Sequence, residues 1–468
     1  MSGVYSLAAR VIYDFTPATS NSSTNLSVGV DTPQLTVALT VDTSQTYGTL
    51  TIGSCTDSTS IGIVNLVTGG SLALTTLNIG RYGTFNQSGG ILAVSGATNI
   101  GYCGTGGTFN QISGISSLNT VSIANLGSLN MTAGTLTASA ITINPGGALN
   151  QAGGTFTASS ITNNGTLAFL RTDTFTLNST ISGGGTLAHL GAGTTTLTHY
   201  NATGSILINA GTLVFDTTAG ARRTSDVLVQ ASSVSITNPV SGTSILDITN
   251  HDMMIANNNT ASYAAIKSLV ANGMNSLLGT GSSTGPQITS STAVNNTGNF
   301  GTILVAFEMD STFGGGAVGD GSATGSSYGS YTDNVTVTQP GTVMIKYGYY
   351  GDIDFSGTVD AGDVNLVTGS VGTTTPGAAD PGFSYLLGDI DANGHVDAGD
   401  INLVLGALGA GSGGSNGNPL GSLESTTVPE PGTLSVLGLA TALLFTRRPK
   451  ARQSRYWSSA HTSPNSRR

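Results

Sequence analysis

Four consecutive segments between Leu77 and Gly154 decide the fold of this chain: LNIGRYGTFNQSGG, TNIGYCGTGGTFNQISG, VSIANLGSLNMTAG and ITINPGGALNQAGG. Each contains an apolar residue followed by asparagine, and these pairs recur at spacings of 24, 20 and 20 residues: Phe85-Asn86, Phe109-Asn110, Leu129-Asn130 and Leu149-Asn150. A period near 20 that alternates apolar with small polar residues, with glycine or asparagine at the corners, is typical of a β-solenoid.

The same pattern indicates how such a solenoid is stabilised. We expect the Ile, Leu and Phe side chains to point inward and the asparagines of successive coils to stack in a ladder of amide hydrogen bonds. No coil buries enough apolar surface alone, so stability comes from stacking neighbours. The sequence therefore predicts a mainly β fold, with N-terminal strands or a cap in residues 1–50 and solenoid repeats in residues 51–216. A flexible low-complexity stalk is the alternative, and the regular inward placement argues against it.

Composition and charge narrow the class of protein. Only 8% of the 468 residues are charged, 67 are glycine, and 38% are hydrophobic, which is too many for a simple disordered polar chain. The net charge is −10, and half of the 14 basic residues lie from Arg447 onward. An acidic body argues against nucleic-acid binding, which needs clustered Lys and Arg.

Many β-solenoids are enzymes that act on polysaccharides, so an enzyme is a candidate class for this chain. From Ser58 to Thr172 there is no Asp, Glu or His, and Arg81 and Arg171 are the only charged residues there. Acid–base chemistry needs paired carboxylates, or a base beside a charge-stabilising group, so that segment cannot supply it. His189 and His199 have no evident carboxylate partner, and we expect both to be exposed strand residues. We predict that the chain is not an enzyme, with a polysaccharide-active enzyme as the minor alternative.

Two further features bear on the compartment. Cys55 and Cys103 pair if they lie on neighbouring coils, and free buried thiols are the alternative. The first 15 residues, MSGVYSLAARVIYDF, lack the long apolar core of a secretory signal, although we would expect one in an exported protein.

A duplicated loop near the end of the chain carries the strongest chemical signal. The two copies read DIDFSGTVDAGD (Asp352–Asp363) and DIDANGHVDAGD (Asp389–Asp400). Oxygen-bearing residues fall at loop positions 1, 3, 5, 9 and 12 in each copy, with glycine at position 6, which suits a dication that takes six to eight oxygen ligands. We predict two calcium ions, with solvated acidic turns as the alternative. The predicted ligands, position 7 acting through its carbonyl, are Asp352, Asp354, Ser356, Thr358, Asp360 and Asp363 in the first site, and Asp389, Asp391, Asn393, His395, Asp397 and Asp400 in the second.

Each loop is followed by a short apolar stretch, VNLVTGSV or INLVLGAL, that suits one helix, while no convincing helix precedes either loop. Residues 350–409 thereby resemble the type I dockerin, a duplicated EF-hand-like module. The resemblance implies calcium binding and a cohesin-like partner. Positions 10 and 11 are Ala-Gly in both copies, whereas dockerins that bind cohesins typically carry hydroxyl side chains there, so calcium binding carries over better than cohesin binding.

A second resemblance lies upstream. The segment from Ile181 to Phe215 resembles the autotransporter-associated β-strand repeat of bacterial passenger proteins, through Gly183–Leu187, Tyr200 and Asn209–Leu213. The resemblance implies a right-handed parallel β-helix on the cell surface. Residues 217–349 read as a small β-rich domain that closes the solenoid, with strands in LDITNHDMMI, TILVAFEMD and VTVTQPGTVMIKYGYY and a helix in ASYAAIKSLVANGM.

The C-terminal region carries a third pattern. Residues 410–427 form a Gly/Ser-rich linker. In residues 428–450, Pro429, Glu430 and Pro431 precede an apolar run that ends before Arg447 and Arg448; a polar, basic tail occupies residues 451–468. This order resembles the PEP-CTERM sorting signal, which implies transient anchoring by a C-terminal membrane helix and processing by an exosortase-type enzyme.

Together these features resemble planctomycete-like bacterial surface proteins. We predict a secreted or cell-surface structural or adhesive protein that is stabilised by calcium and associates with extracellular polysaccharide. A dockerin-bearing protein that binds or degrades polysaccharide is the alternative, and a calcium-dependent self-assembling layer protein is a third possibility.

Overall fold

The structure is a computed structural model that describes residues 10–12, 25–30, 36–56, 59–104, 106–216, 228–237, 244–256, 260–274, 285–295, 301–309, 336–337 and 341–411. All of these belong to a compact unit of residues 1–415. A second unit, residues 416–468, lies outside the described residues.

The described chain is mainly β and forms a parallel β-solenoid of about ten coils with few helices, which confirms the predicted solenoid. Strands are numbered in chain order. Those of the solenoid are β1 (Arg10–Ile12), β2 (Leu26–Val28), β3 (Thr36–Val41), β4 (Ser44–Ile52), β5 (Ile61–Leu66), β6 (Ser71–Ile79), β7 (Gly83–Ile100), β8 (Gly107–Ile123), β9 (Gly127–Met131), β10 (Thr135–Ile143), β11 (Ala148–Gln151), β12 (Thr155–Asn163), β13 (Thr166–Phe169), β14 (Thr174–Gly183), β15 (Thr186–His189), β16 (Thr194–Ala202), β17 (Ser205–Ile208), β18 (Gly211–Phe215), β20 (Ser233–Ile236), β21 (Ser244–Asp247) and β23 (Gln287–Thr289).

Successive coils pair in register, so one inward position repeats along the solenoid. The column built on Phe85 and Phe109 is apolar throughout, and the two rings lie 5.0 Å apart between centroids. Stacking removes each side chain of this column from water, which supplies the stability that a single coil lacks. Its members are Val64, Phe85, Phe109, Leu129, Leu149, Leu167, Leu187 and Ile206.

The predicted asparagine ladder is present beside this column. Each Asn Nδ2 donates to the Oδ1 of the previous coil, at distances of 3.0, 2.9, 3.0 and 2.8 Å. The ladder satisfies partly buried amides that would otherwise lose their water without compensation. Its rungs are Asn65, Asn86, Asn110, Asn130 and Asn150.

We expect Asn110→Ala to lower the free energy of unfolding by about 1–3 kcal/mol, because the Asn86 acceptor and the Asn130 donor both lose their partner. Asn119→Ala is the control, since Asn119 is exposed and donates to the Ser95 carbonyl. Denaturant titration of both variants measures the difference. Equal midpoints would contradict a stabilising role for the ladder.

The solenoid strands extend on both sides of residues 51–216, since β1 to β3 precede that range and β20, β21 and β23 follow it.

Cys55 and Cys103, whose pairing the sequence did not decide, form a disulfide between residues 48 positions apart. The bond therefore links residues that lie two repeat lengths apart along the solenoid.

A four-stranded sheet, here called the closing sheet, lies beyond the solenoid strands in the order β19 (Leu228–Ala231), β22 (Asp252–Ile255), β25 (Val343–Tyr349) and β24 (Thr302–Glu308). Strands β19 and β22 are parallel, and β25 runs antiparallel to both its neighbours. The predicted strand pair in LDITNHDMMI is present as β21 and β22, but the two strands belong to different sheets.

The helix predicted in residues 261–274 is present as α1 (Thr260–Met274) and buries Ile266 and Val270. The other helices in the described residues are α2 (Ser291–Asn295), α3 (Ala361–Ser370), α4 (Pro381–Leu386) and α5 (Ala398–Ala407), with 3-10 turns at Tyr102–Gly104 and Gly377–Ala379. Helix α4 precedes the second acidic loop, where the sequence predicted no helix. Among the described helices, none combines the length and apolar character needed to cross a membrane.

The expectation that both solenoid histidines are exposed is wrong for His189 and right for His199. His189 lies at the same position as Phe169 and Ile208, both of which point inward. Its Nδ1 lies 2.7 Å from the Ala210 carbonyl, and its Nε2 lies 3.2 Å from the Thr195 hydroxyl. The carbonyl can only accept, so Nδ1 carries the proton and the neutral ring receives a hydrogen bond at Nε2.

We expect this burial to make the protein sensitive to acid. Burial lowers the pKa of His189 below its ordinary value of 6.5, although the Ala210 carbonyl opposes the shift. The unfolded state then binds the proton more readily, so stability is full above about pH 6.5 and falls below it, by up to about 1.4 kcal/mol per pH unit. Denaturation between pH 5 and 8 measures this dependence. His189→Gln should reduce it, whereas the exposed-site control His199→Gln should not; equal pH dependence in both variants would contradict the prediction.

Candidate metal centre

The two acidic loops have the same backbone shape. The fourth residue of each, Phe355 or Ala392, has a positive φ of 53° or 56°. The sixth, Gly357 or Gly394, has a φ of 96° or 99°, which glycine adopts without steric cost. These two left-handed positions turn the chain back so that the carboxylates before and after them face each other. The glycine predicted for the sharp turn is therefore required by the conformation.

In the first loop, carboxylate oxygens of Asp352, Asp354 and Asp363 all lie within 4.8 Å of one another. Asp352 and Asp363 are fully buried. Asp363 accepts from the Ile353 amide at 2.8 Å and from the Asp360 amide at 2.9 Å, which fixes both of its oxygens. Backbone amides thus hold the acidic side chains in place from the outside of the cluster.

The second loop repeats this arrangement. Oxygens of Asp389, Asp391 and Asp400 also lie within 4.8 Å of one another, and Asp389 and Asp400 are fully buried. Asp400 accepts from the Ile390 amide at 2.7 Å and from the Asp397 amide at 2.8 Å. The two clusters therefore match in residue type, in backbone support and in the burial of their first and last carboxylates, while the middle one is half-buried in Asp354 and exposed in Asp391.

The electrostatics of both clusters favour a bound cation. Burial raises the pKa of Asp363, and the nearby Asp354 carboxylate raises it further, against the lowering effect of the backbone amides. Burial also raises the pKa of Asp391, with added repulsion from Asp400 and Asp389. A dication would remove this repulsion, because it offsets the like charges at close range.

The structure gathers six of the twelve predicted ligands into the two clusters. Asp360 and Asp397, at position 9, lie outside them and instead cap α3 and α5, accepting from Gly362 N and Gly399 N at 2.6 Å. The remaining four predicted ligands are at loop positions 5 and 7, which precede the capping aspartates in the sequence: Ser356, Thr358, Asn393 and His395. The Ser356 hydroxyl donates to the Thr358 carbonyl at 3.1 Å, and the Asn393 amide oxygen accepts from His395 N at 2.9 Å.

The two loops are also joined to each other by an approximate two-fold arrangement. The residue at position 8 of each loop exchanges two backbone hydrogen bonds with the segment that follows the helix of the other repeat, at 2.7–3.0 Å. Every residue in one pair lies 37 positions from its counterpart in the other. The pairs join Val359 with Gly409 and Ala410, and Val396 with Gly372 and Thr373.

The two acidic loops and their helices, residues 350–409, are here called the module, and sequence reasoning missed how firmly this module packs against the closing sheet. Phe355 is fully buried and stacks on Phe307 of β24, with ring centroids 6.2 Å apart. The Tyr385 hydroxyl of α4 accepts from Gly351 N at 2.8 Å and donates to the Tyr349 carbonyl at 3.2 Å, where β25 enters the first loop. The module and one face of the closing sheet share a single hydrophobic core. The sequence did carry a signal for this packing: the first loop has a large aromatic residue, Phe355, at the position where the second loop has Ala392.

A polar contact fixes the segment between the two loops. Asp380 accepts hydrogen bonds from the Tyr263 hydroxyl at 2.8 Å and from Lys267 Nζ at 2.9 Å, both on α1. Asp380 also caps α4 by accepting from Phe383 N. This one carboxylate therefore links the module to the helix that covers the other face of the closing sheet.

The predicted sorting residues Pro429, Glu430, Pro431, Arg447 and Arg448, with the membrane helix expected in 428–450, lie outside the described residues. Comparison with protein-family models, curated proteins and solved structures gave no match to this chain.

Proposed function

We propose that this chain is a calcium-stabilised structural protein of the bacterial cell surface, in which two dockerin-like loops each bind one calcium ion. The observation that carries the proposal is the pair of buried aspartate clusters with matching backbone geometry. Each cluster offers only oxygen atoms from hard carboxylate ligands, and oxygen donors suit calcium or magnesium better than zinc or copper. Calcium would supply the charge that holds the carboxylates together.

The solenoid supports a location outside the cytoplasm. Its Cys55–Cys103 disulfide fits an oxidising compartment, because disulfides are rare where thiols are kept reduced. The PEP-CTERM-like sequence in residues 428–450 supports export with transient membrane anchoring and processing by an exosortase-type enzyme. Intact mass of the protein isolated from its host tests this: loss of the residues after the signal supports processing, and the full-length mass contradicts it.

Calorimetric titration of the full chain tests the metal proposal. We expect two calcium ions per chain and a higher melting temperature in calcium than in EGTA, because a ligand that binds only the folded state stabilises it. Magnesium should bind more weakly, since it prefers rigid octahedral sites and keeps its waters. Identical melting in calcium and EGTA, with no heat of binding, would overturn the proposal.

A carbohydrate-binding role is the second candidate. A groove of about 390 Å³ runs across four stacked strands of the solenoid, β4, β6, β7 and β8, and its lining, which includes Tyr47, contains no charged side chain. Neutral hydroxyl groups from Thr46, Thr75, Ser95 and Ser117 suit an uncharged polysaccharide. Glycan arrays test this role, and the variant Ala93→Glu should remove any binding that uses the groove.

A cohesin-like partner is the remaining part of the alternative function. Helices α3 and α5 and the turn after α3 expose Leu366, Leu405 and Val371, between 42% and 49% accessible. Exposed apolar side chains of this kind support a protein partner. Pull-down on a cohesin panel, with Leu366→Asp as the control, separates this role from a purely structural one.

A further inference from the structure

Lys346 is a fully buried lysine in the middle of the closing sheet. It is the only charged residue of β25, whose sequence is VMIKYGY, and its side chain has no solvent exposure. Val305 lies opposite it on β24, and the Phe355 ring lies 5.9 Å from its Nζ. A lysine is rarely buried to this extent, because removing its charge from water is costly.

Asp252 begins β22 on the other side of β25. The antiparallel pairing of Met253 with Ile345 sets Asp252 opposite Lys346, and the lysine Nζ is in direct contact with Oδ2 of the carboxylate. The other oxygen, Oδ1, accepts a hydrogen bond from the Tyr347 amide at 2.8 Å. The amine, the carboxyl carbon and a backbone N–H donor are therefore assembled in one apolar site.

We propose that Lys346 and Asp252 condense to an intramolecular isopeptide bond. A proton first passes from Nζ to Oδ2, which leaves a neutral amine beside a neutral carboxylic acid. Nζ then attacks Cγ, and the Tyr347 N–H stabilises the negative charge that develops on Oδ1. A second proton moves from Nζ to Oδ2, the Cγ–Oδ2 bond breaks, and one water leaves as the carbonyl re-forms. The product is a neutral secondary amide, and no oxidant or reductant is required.

The site favours condensation for three reasons. Its low polarity disfavours the separated charges of the ion pair, and the amide carries no charge. The contact holds the reacting atoms together, which replaces an encounter between free groups. The Asp252 side chain keeps 12% exposure, so the released water has a way out.

A second lysine pair shows what the proposal excludes. Lys267 and Asp380 also form a salt bridge, at 2.9 Å, but their side chains are 28% and 17% exposed. Water there stabilises the charged forms, so this pair should remain ionic. It provides a matched control within the same chain.

The cross-link would tie together residues 94 positions apart. Like a disulfide, it would restrict the unfolded chain and hold β22 and β25 together at the centre of the closing sheet. Because the first acidic loop begins three residues after the end of β25, the bond would also secure the strand that leads into the candidate metal module.

Intact-mass measurement of the reduced full chain tests the proposal. We expect a mass lower than the sequence mass by one water, and a protease digest that contains one branched peptide joining Lys346 to Asp252. Lys346→Arg keeps the positive charge but should restore the full mass. Lys267→Arg should keep the loss of one water. Asp252→Asn, if it reacts, loses ammonia and yields the same branched product.

Two results together would overturn the proposal. The wild-type chain would have its full sequence mass, and an acetylating reagent that reacts with free amines would modify Lys346 after denaturation. Lys346 and Asp252 would then form an ordinary buried ion pair. The wild-type measurement decides the question even if a variant fails to fold, and neither outcome depends on calcium binding.

Discussion

Phe355→Ala is expected to lower the free energy of unfolding by about 3–5 kcal/mol, the usual cost of truncating a buried phenylalanine. The ring is fully buried and contacts Phe307 of the closing sheet and Tyr385 of α4, with centroid distances of 6.2 and 6.4 Å. Its removal leaves a cavity where the first acidic loop meets the sheet. Because the module and the sheet share one core, we expect both to unfold together and earlier.

Ala392→Gly is the matched control for this variant. Ala392 occupies the same loop position with nearly the same φ, 56° against 53°, but it is only partly buried. Glycine relieves the left-handed conformation there, so the change in stability should stay below about 1 kcal/mol. Denaturant titration followed by near-UV circular dichroism measures both variants. If Phe355→Ala unfolds at the same midpoint as wild type, the stabilising role assigned to the buried ring is wrong.

The solenoid was predictable because its signal is local and repeated. The alternation of apolar and polar residues around Phe85 and Phe109 predicts which side chains point inward, and the period of about 20 residues predicts which side chains stack on one another. The asparagine ladder follows from the same phase, since Asn86 and Asn110 come directly after those phenylalanines. The burial of His189 could also have been predicted from the sequence, because His189 lies two positions after the inward-facing Leu187 and side chains of a strand alternate between its two faces.

Features that depend on register between distant segments were not predictable. Pairing of Cys55 with Cys103 requires both corners to meet across the stacked coils, which no local pattern specifies. The contact of Lys346 with Asp252 requires the strand order of the closing sheet, in which residues far apart in sequence become neighbours. A charged residue inside the apolar strand VMIKYGY was a signal that Lys346 needed a partner, but its identity came only with the fold.

The acidic loops show a similar division between local and tertiary information. Spacing alone identified the residues that meet in each cluster, because a twelve-residue loop with glycine at position 6 closes on itself. Spacing did not distinguish a ligand from a helix cap at position 9. Asp360 and Asp397 precede their helices directly, and the capping role follows from that position as readily as metal binding does.

The distinction between clustered and capping aspartates predicts a second large effect, a loss of calcium-dependent stabilisation in the double variant Asp354→Asn with Asp391→Asn. Each asparagine keeps an oxygen that can accept the hydrogen bond from Ser356 N or Asn393 N, so the metal-free fold should be retained. Each cluster loses one negative charge, so the proposed calcium binding should weaken. A site that binds calcium only in the folded state would contribute about 2.7 kcal/mol when free calcium exceeds its Kd 100-fold, so two such sites would contribute about 5 kcal/mol. We expect the double variant to lose most of this difference between unfolding in calcium and in EGTA.

The control is Asp360→Asn with Asp397→Asn, which removes the same number of charges from the same two loops. Asparagine caps a helix about as well as aspartate, so the caps survive. Because these carboxylates lie outside the clusters, the calcium-dependent stabilisation should largely remain. If both double variants lose it equally, position 9 binds the metal and the clusters alone do not define the site. If the two variants and wild type all unfold identically with and without calcium, the loops are acidic turns held by backbone amides, and the structural role proposed for the metal is wrong.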